Sequence, residues 1–340
     1  MVFLRSGDDF RVAVITGGAS GIGLACAKRC AARGMNVIIA DIVSGDKMKT
    51  AISQVNNVRK HSQGEVHGYF CDVTKPEDYQ NLATKIYERF EDGVGLLHLN
   101  AGLSAHTRGF ENEKSPDIIP IKDWQNTFEV NVYGVLHGLQ TFVPLMMDQK
   151  NEAAIVVTSS YAGLMNSSQI GFGSHLPYTA SKHCVTLLSE ALAESLRTRK
   201  DHQVRCHLLC PAGVATNFAV NAAAQVASEA RIGENIDQLQ KDLIEKTGMK
   251  GIMKSGLDPS GIADLVEDGV YNDKFYILAH DEQPKEFFKE LIKTRMEDIL
   301  FERKPLSHLV RGEYGREMRA NIRSKRVRRE RKKDTVASKL

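Results

Sequence analysis

Short apolar runs alternate along this chain with longer stretches of helical periodicity, and no other feature restricts its fold as strongly. The first run, within Arg11 to Thr16, contains Val12, Ala13, Val14 and Ile15 and breaks at Gly17-Gly18. Ile22, Leu24, Ala25, Ala27 and Ala31 then mark a helix that stops at Gly34, and Asn36 to Ala40 reads as a second strand. The same alternation continues through strand candidates at Val66 to Phe70, Leu96 to Leu99, Ala154 to Thr158, Val204 to Leu209 and Phe275 to Ala279, with helical stretches such as Asp123 to Gln149 and Tyr178 to Thr198 between them. Strands joined through helices run parallel, and strands buried on both faces are apolar throughout rather than alternating. The expected fold class is therefore α/β, a doubly wound parallel sheet of about seven strands.

A sheet of this kind reaches its last strand near Ala279 and leaves a remainder, so the expected organisation is a sheet domain over residues 10 to 281, a helical extension over 282 to 312 and a basic tail over 313 to 340. Pro284 to Arg303 reads as one more amphipathic helix. Three segments do not fit the alternation: Ser104 to Pro120, Leu164 to Pro177 and Thr216 to Gly256. They are expected beyond the strand ends, as walls of a substrate site. A hydrophobic fraction of 42% supplies a sizeable core. No apolar run approaches the roughly 20 residues of a membrane span, and no cationic and apolar leader precedes Val12, so neither a secreted nor a membrane-integral protein is expected. Cys26, Cys30, Cys71, Cys184, Cys206 and Cys210 contain no Cys-x-x-Cys pair and no His at zinc-finger spacing; they read as reduced intracellular thiols, and no metal site is expected.

The glycine-rich run Thr16-Gly17-Gly18-Ala19-Ser20-Gly21-Ile22-Gly23 lies between the first strand and the first helix. Glycines there permit a tight turn and let a pyrophosphate approach the helix N-terminus. Asp41 follows Gly23 by 18 residues and ends the second strand, where a carboxylate accepts hydrogen bonds from an adenosine ribose and repels a 2′-phosphate. No Lys or Arg stands at Gly18, Ser20 or Ile42 to compensate that phosphate, so NAD is expected in preference to NADP. Tyr178 and Lys182, four residues apart at the start of a helix, share one face. An ammonium beside a phenol favours phenolate and is expected to lower its pKa from about 10.

In this assembly the chain resembles the short-chain dehydrogenase/reductase family of the Tyr-x-x-x-Lys type over residues 10 to 281, which implies a Rossmann-like fold. The resemblance rests on Thr16-Gly17-x-x-x-Gly21-Ile22-Gly23, Cys71-Asp72-Val73, Asn100-Ala101-Gly102, Asn131, Ser159-Ser160, Tyr178-Thr179-Ala180-Ser181-Lys182 and Pro211-Ala212-Gly213-Val214-Ala215-Thr216. It implies that Tyr178 exchanges a proton with the substrate oxygen and that Ser160, rather than Ser159, hydrogen-bonds that oxygen. It further implies that Lys182 binds the nicotinamide ribose and that Asn131 holds a water linking Lys182 to solvent. By the same resemblance Asp72 and Val73 contact adenine, Asn100, Ala101 and Gly102 pack along the cofactor, Val214 and Thr216 hold the carboxamide, and Pro211 and Gly213 border it. The implied activity is hydride transfer between NAD and a secondary alcohol or ketone, in a homodimer or homotetramer.

Two departures stand out. Ser160 and Tyr178 are eighteen residues apart, wider than the resemblance implies, so Leu164 to Pro177 carries roughly five extra residues beside the substrate. Ala212 stands where the family has Gly. His137, His175 and His183 read as structural or exposed. The tail holds ten Lys/Arg and two Glu between Arg316 and Lys333, and the chain ends in Ser338-Lys339-Leu340, a peroxisomal address read by an import receptor at a free C-terminus. Peroxisomal location is the expectation in an organism that has peroxisomes, and cytoplasmic location otherwise. No nucleic-acid partner is expected, because the basic run has neither aromatic interleaving nor a binding module. Two other functions fit the sequence less fully: oxidation of a hydroxyacyl-CoA or other lipid-derived alcohol, which the address alone favours, and a cofactor-bound scaffold without turnover.

Overall fold

The computed structural model describes residues 11–59, 64–104, 121–149, 151–165, 176–199, 203–214 and 256–279, with 292, 293, 295, 296 and 300. Thr216, His175, the basic tail with Ser338-Lys339-Leu340, and most of the three expected wall segments and of Pro284 to Arg303 lie outside the described residues.

Seven strands form one sheet: β1 Val12–Thr16, β2 Asn36–Asp41, β3 Val66–Phe70, β4 Val94–Leu99, β5 Ala153–Thr158, β6 Val204–Pro211 and β7 Tyr276–Ala279. Their order across the sheet is β3-β2-β1-β4-β5-β6-β7, and every pairing is parallel. This is the Rossmann-like doubly wound sheet expected from the alternation. β1, β2, β4 and β5 are buried along their whole length, as their apolar runs require. The edge strand β7 alternates exposed and buried residues instead.

Helices cover both faces. α1 (Gly21–Ala32), α2 (Gly45–Asn56) and α7 (Pro259–Tyr271) lie on one face, where Ala27, Ala31, Met48, Val55, Ile262 and Val266 join the sheet core. The small residues of α1 let it approach closely, and Arg29 adds ion pairs to Asp264 and Glu267 at the rim. On the other face α3 (Pro76–Arg89), α5 (Gly134–Asp148) and α6 (Leu176–Thr198) contribute Tyr79, Leu82, Ile86, Phe142, Met146 and Val185.

The helix read from Asp123 to Gln149 is interrupted. α4 (Ile121–Phe128) passes through one π turn, Glu129–Tyr133, before α5 begins. A π turn widens the helix by one residue without altering its apolar stripe, so the sequence pattern does not reveal it. The strand order reverses between β1 and β4, and the crevice at their carboxyl ends is where open α/β sheets bind ligands. Thr16, Asp41, Asn100, Ser160 and Pro211 all lie at or just past that end.

Candidate active site

The glycine-rich turn is tied down from within the sheet. Thr16 Oγ1 accepts from the backbone N–H groups of Asn100 (2.9 Å) and Ala101 (3.1 Å), and Asn100 Nδ2 donates to the carbonyls of Thr16 (3.0 Å) and Gly17 (3.4 Å). Gly17 and Gly21 have φ of +61° and +53°, which only glycine adopts cheaply. A Cβ on Gly23 would strike the Gly17 carbonyl and approach Asn100 Nδ2 to 2.7 Å, so helix α1 begins in contact with the turn. Ser20 caps α1 without a side-chain hydrogen bond and is exposed, which leaves the first N–H groups of the helix facing the crevice without a side-chain acceptor from the cap. That is the arrangement a pyrophosphate needs.

Asp41 accepts from Ala19 N through Oδ2 (3.0 Å) and from Val43 N through Oδ1 (3.1 Å). The carboxylate thus braces the same turn, and each oxygen keeps a lone pair for a ribose hydroxyl. Asp72 is used locally: Oδ1 accepts from Thr74 N (3.0 Å) and Thr74 Oγ1 (2.8 Å). Val73 is buried against Gly134 of α5, and its carbonyl bonds His137 Nδ1 at 3.2 Å.

The second cluster sits where β5 ends against α6. Ser160 begins the short 3₁₀ turn Tyr161–Gly163, accepting from Ala162 N (3.1 Å) and donating to the Pro211 carbonyl (3.4 Å). Its hydroxyl also hydrogen-bonds the Tyr178 phenol. Ser159 points the other way, into α6, where it meets the Lys182 carbonyl (3.1 Å) and Thr186 Oγ1 (2.9 Å). The choice between the two serines is thereby a matter of geometry: Ser160 faces the phenol and Ser159 fastens the helix.

Tyr178 and Lys182 share one face of α6, with the ammonium 5.7 Å from the phenol ring centroid. Lys182 is 4% exposed and donates to the Thr158 carbonyl at 2.8 Å. Burial lowers its pKa to about 8. The expected lowering of the phenol by this cation is not seen in this state. Burial pushes Tyr178 up to about 12, with the Ser160 hydrogen bond opposing, while the ammonium makes its hydrogen bond to the Thr158 carbonyl.

Asn131 is fully buried inside the π turn and closes on protein groups: Leu103 N donates to Oδ1 (2.8 Å), while Nδ2 donates to the Leu103 carbonyl and to Ser181 Oγ (both 2.9 Å). Both amide protons are used, so the side chain braces the strand β4 loop against α6. Gly102 lies between Asn131 and Lys182, where a Cβ would stand 3.2 Å from Oδ1 and 3.5 Å from Nζ. Gly213 and Val214 pair with Leu257 through a short parallel bridge. Cys210, buried at the end of β6, interacts electrostatically with Lys182 and stays a thiol, its pKa pushed up to about 12 by burial. Among the described residues no group of His, Cys, Asp and Glu could hold a metal ion, and no helix is long and apolar enough to cross a membrane.

The turn, Asp41 and the Ser160–Tyr178–Lys182 cluster therefore border one crevice at the β1/β4 switch point. A family profile described as short chain dehydrogenase matches residues 11–227. The chain belongs to the short-chain dehydrogenase/reductase family. The match with a short-chain dehydrogenase/reductase of Burkholderia phymatum, solved in complex with NAD, has 33% sequence identity and a TM-score of 0.70, covering 87% of this chain and 96% of that one. Curated relatives in the family include the CLA biosynthesis dehydrogenase/reductase of Lactiplantibacillus plantarum, 28% identical over 89% of this chain and 99% of the relative. Another is a C alpha-dehydrogenase of a Sphingobium species, 28% identical over 81% of this chain and 82% of its own length.

Three groups near the site escaped the sequence reading. Thr158 carries the Lys182 contact on its carbonyl and reaches Asn100 Oδ1 with its hydroxyl (3.3 Å). His98, inside an apolar run, bonds that hydroxyl. From the far end of the chain Ile292 packs near Tyr161 and Met165, and Arg295 donates to the Leu164 carbonyl (2.8 Å) and bonds His183 Nε2 (3.0 Å). The residues past the sheet thus contribute to the wall beside the 3₁₀ turn. A polar residue interrupting a buried strand was the available signal for His98; contacts as distant as Arg295 to Leu164 leave none.

Proposed function

We propose that this protein is an NAD-dependent oxidoreductase that interconverts a secondary alcohol and a ketone, with Tyr178 as the acid/base. The observation that carries this reading is the Ser160–Tyr178 hydrogen bond, set beside a buried ammonium at the end of the sheet that also holds the glycine-rich turn. When bound, NAD supplies the hydride acceptor or, reduced, the hydride donor. The residues fit it: the first turn of α1 presents N–H groups for the pyrophosphate, Asp41 retains acceptor capacity for the ribose hydroxyls, and Gly102 leaves space beside Lys182. Lys182 makes one hydrogen bond to a described residue, so its other two protons are available to a hydroxylated ligand. The NAD-bound Burkholderia relative supports the choice of cofactor.

In the direction of reduction the Tyr178 phenol gives its proton to the carbonyl oxygen as charge develops there, and the Ser160 hydroxyl donates a hydrogen bond to the same oxygen. In oxidation the phenolate takes the proton back from the alcohol. The raised phenol pKa keeps Tyr178 protonated at neutral pH in the cofactor-free state, which is the form that acts as an acid.

Turnover of a panel of secondary alcohols and ketones with NAD(H) tests the reaction class, and Tyr178→Phe tests the assignment. Phe keeps the ring and deletes the hydroxyl, so the variant is expected to fold and bind NAD while losing at least about 10²-fold in turnover. A folded Tyr178→Phe protein of undiminished activity would mean that another group carries the proton.

A further inference from the structure

His98 occupies a position that the sheet would ordinarily give to an apolar residue. It stands in register with Ile15 on one side and Val156 on the other, and Ile15 in turn with Ile39. Its side chain is completely buried, and burial drives the imidazole pKa down to about 3, so the ring is neutral. Placing a polar ring here is costly unless its hydrogen bonding has a purpose.

The direction of that hydrogen bonding follows from the acceptors that close the network. Asn100 Nδ2 faces the carbonyls of Thr16 and Gly17, which can only accept; this fixes the amide and turns Oδ1 toward Thr158 Oγ1, 3.3 Å away. Oδ1 can also only accept, so the single proton of Thr158 goes to Asn100. The Thr158 oxygen must then accept from His98 Nε2, 2.9 Å away. His98 is therefore the Nε2–H tautomer. Its Nδ1, without a hydrogen-bond partner among the described residues, is a bare lone pair rather than a buried N–H.

We infer that His98 is a positioning residue for the cofactor: its Nε2–H starts a one-way chain through Thr158 and Asn100 that holds the Gly17 turn in the shape that receives a dinucleotide. The inference rests on the proposed NAD reading. Thr158 links the two halves of the site, since its hydroxyl serves the turn while its carbonyl holds Lys182. Without a donor at position 98 the Thr158 hydroxyl has no proton to receive and is free to turn its own proton away from Asn100 Oδ1, so the Asn100 amide that bonds the Thr16 and Gly17 carbonyls loses one of its restraints. The Gly17 carbonyl, whose contact with that amide is already long at 3.4 Å, is the first to feel the loss.

Two measurements on the full-length chain decide the matter. Nitrogen-15 NMR of His98 at neutral pH is expected to report a protonated Nε2 and an unprotonated Nδ1; the opposite tautomer would overturn the chain of donors. Titration with NAD is expected to give His98→Leu an affinity about three- to tenfold weaker than the parent, the range of one neutral hydrogen bond. His98→Gln, whose terminal amide N–H can occupy the place of Nε2–H, should remain within about twofold of the parent, although both variants lose thermal stability. A Leu variant that binds NAD like the parent, or a Gln variant no better than Leu, would reduce His98 to packing. Should the parent bind no NAD, the proposed cofactor falls, and amide hydrogen exchange over residues 17–23 in the same variants still decides: exchange faster in Leu but not in Gln supports the brace, and equal exchange in both overturns it.

Discussion

A buried ammonium is expensive unless its protons are placed, and Lys182 directs one of them to the Thr158 carbonyl at 2.8 Å. Its pKa of about 8 lies below the ordinary 10.5, because burial disfavours the charged form. Between those values the unfolded chain holds the lysine proton and the folded chain does not, so this residue's contribution to stability rises with pH across that window. The sign is opposite to that of Tyr178, whose raised pKa makes stability fall as pH climbs from 10 toward about 12. Subtracting the unfolding profile of Lys182→Met from that of the parent isolates the lysine: without cofactor, the difference is expected to rise from pH 8 to about 10. A flat difference would place the ammonium in contact with water, and with it the case for its spare donors would weaken.

Among the elements, the 3₁₀ turn Tyr161–Gly163 sets how Ser160 meets the phenol, and it does so by pressing on α6. A Cβ on Gly163 would collide with Ser159 Oγ and would stand 2.6 Å from the Lys182 carbonyl and 2.7 Å from Thr186 Oγ1. The carbonyl is helix backbone and cannot yield without moving Lys182. Gly163→Ala is therefore expected to destabilise the protein by about 1–3 kcal/mol, the usual cost of overpacking, and to lower turnover as Ser160 shifts. Denaturant unfolding together with a steady-state assay checks both, and a fully stable, fully active variant would show that the turn is free to move off the helix. Elements of this kind mark the limit of what the sequence reveals. The central strands are legible because burial on both faces demands unbroken apolar runs such as Ala154 to Thr158, and the Tyr178–Lys182 face follows from helical spacing alone. The π turn at Asn131 changes no residue's polarity and so leaves no pattern. The phenol's raised pKa is hidden for a related reason: spacing brings the ammonium near but reveals neither the burial of the ring nor the bond from Lys182 to the Thr158 carbonyl.

At the scale of the molecule, the sheet order brings the end of β1, the end of β2 and the start of α1 to one crevice, so that Asp41, which braces Ala19, borders the place proposed for the dinucleotide. A ligand that binds only the folded state stabilises the whole chain by mass action, by about 2.7 kcal/mol at a hundredfold excess over its Kd. NAD is therefore expected to raise the thermal unfolding midpoint. NADP at the same concentration should raise it less, because the additional phosphate meets a carboxylate already fixed by two backbone N–H groups and unable to swing away. Asp41→Ala removes the repulsion and the brace together, so the NAD shift should shrink while the NADP shift holds or grows, and the two should converge. Equal shifts for the two dinucleotides in the unaltered protein would remove Asp41 as the discriminating group, and a variant that keeps the full difference would move the discrimination to another part of the crevice.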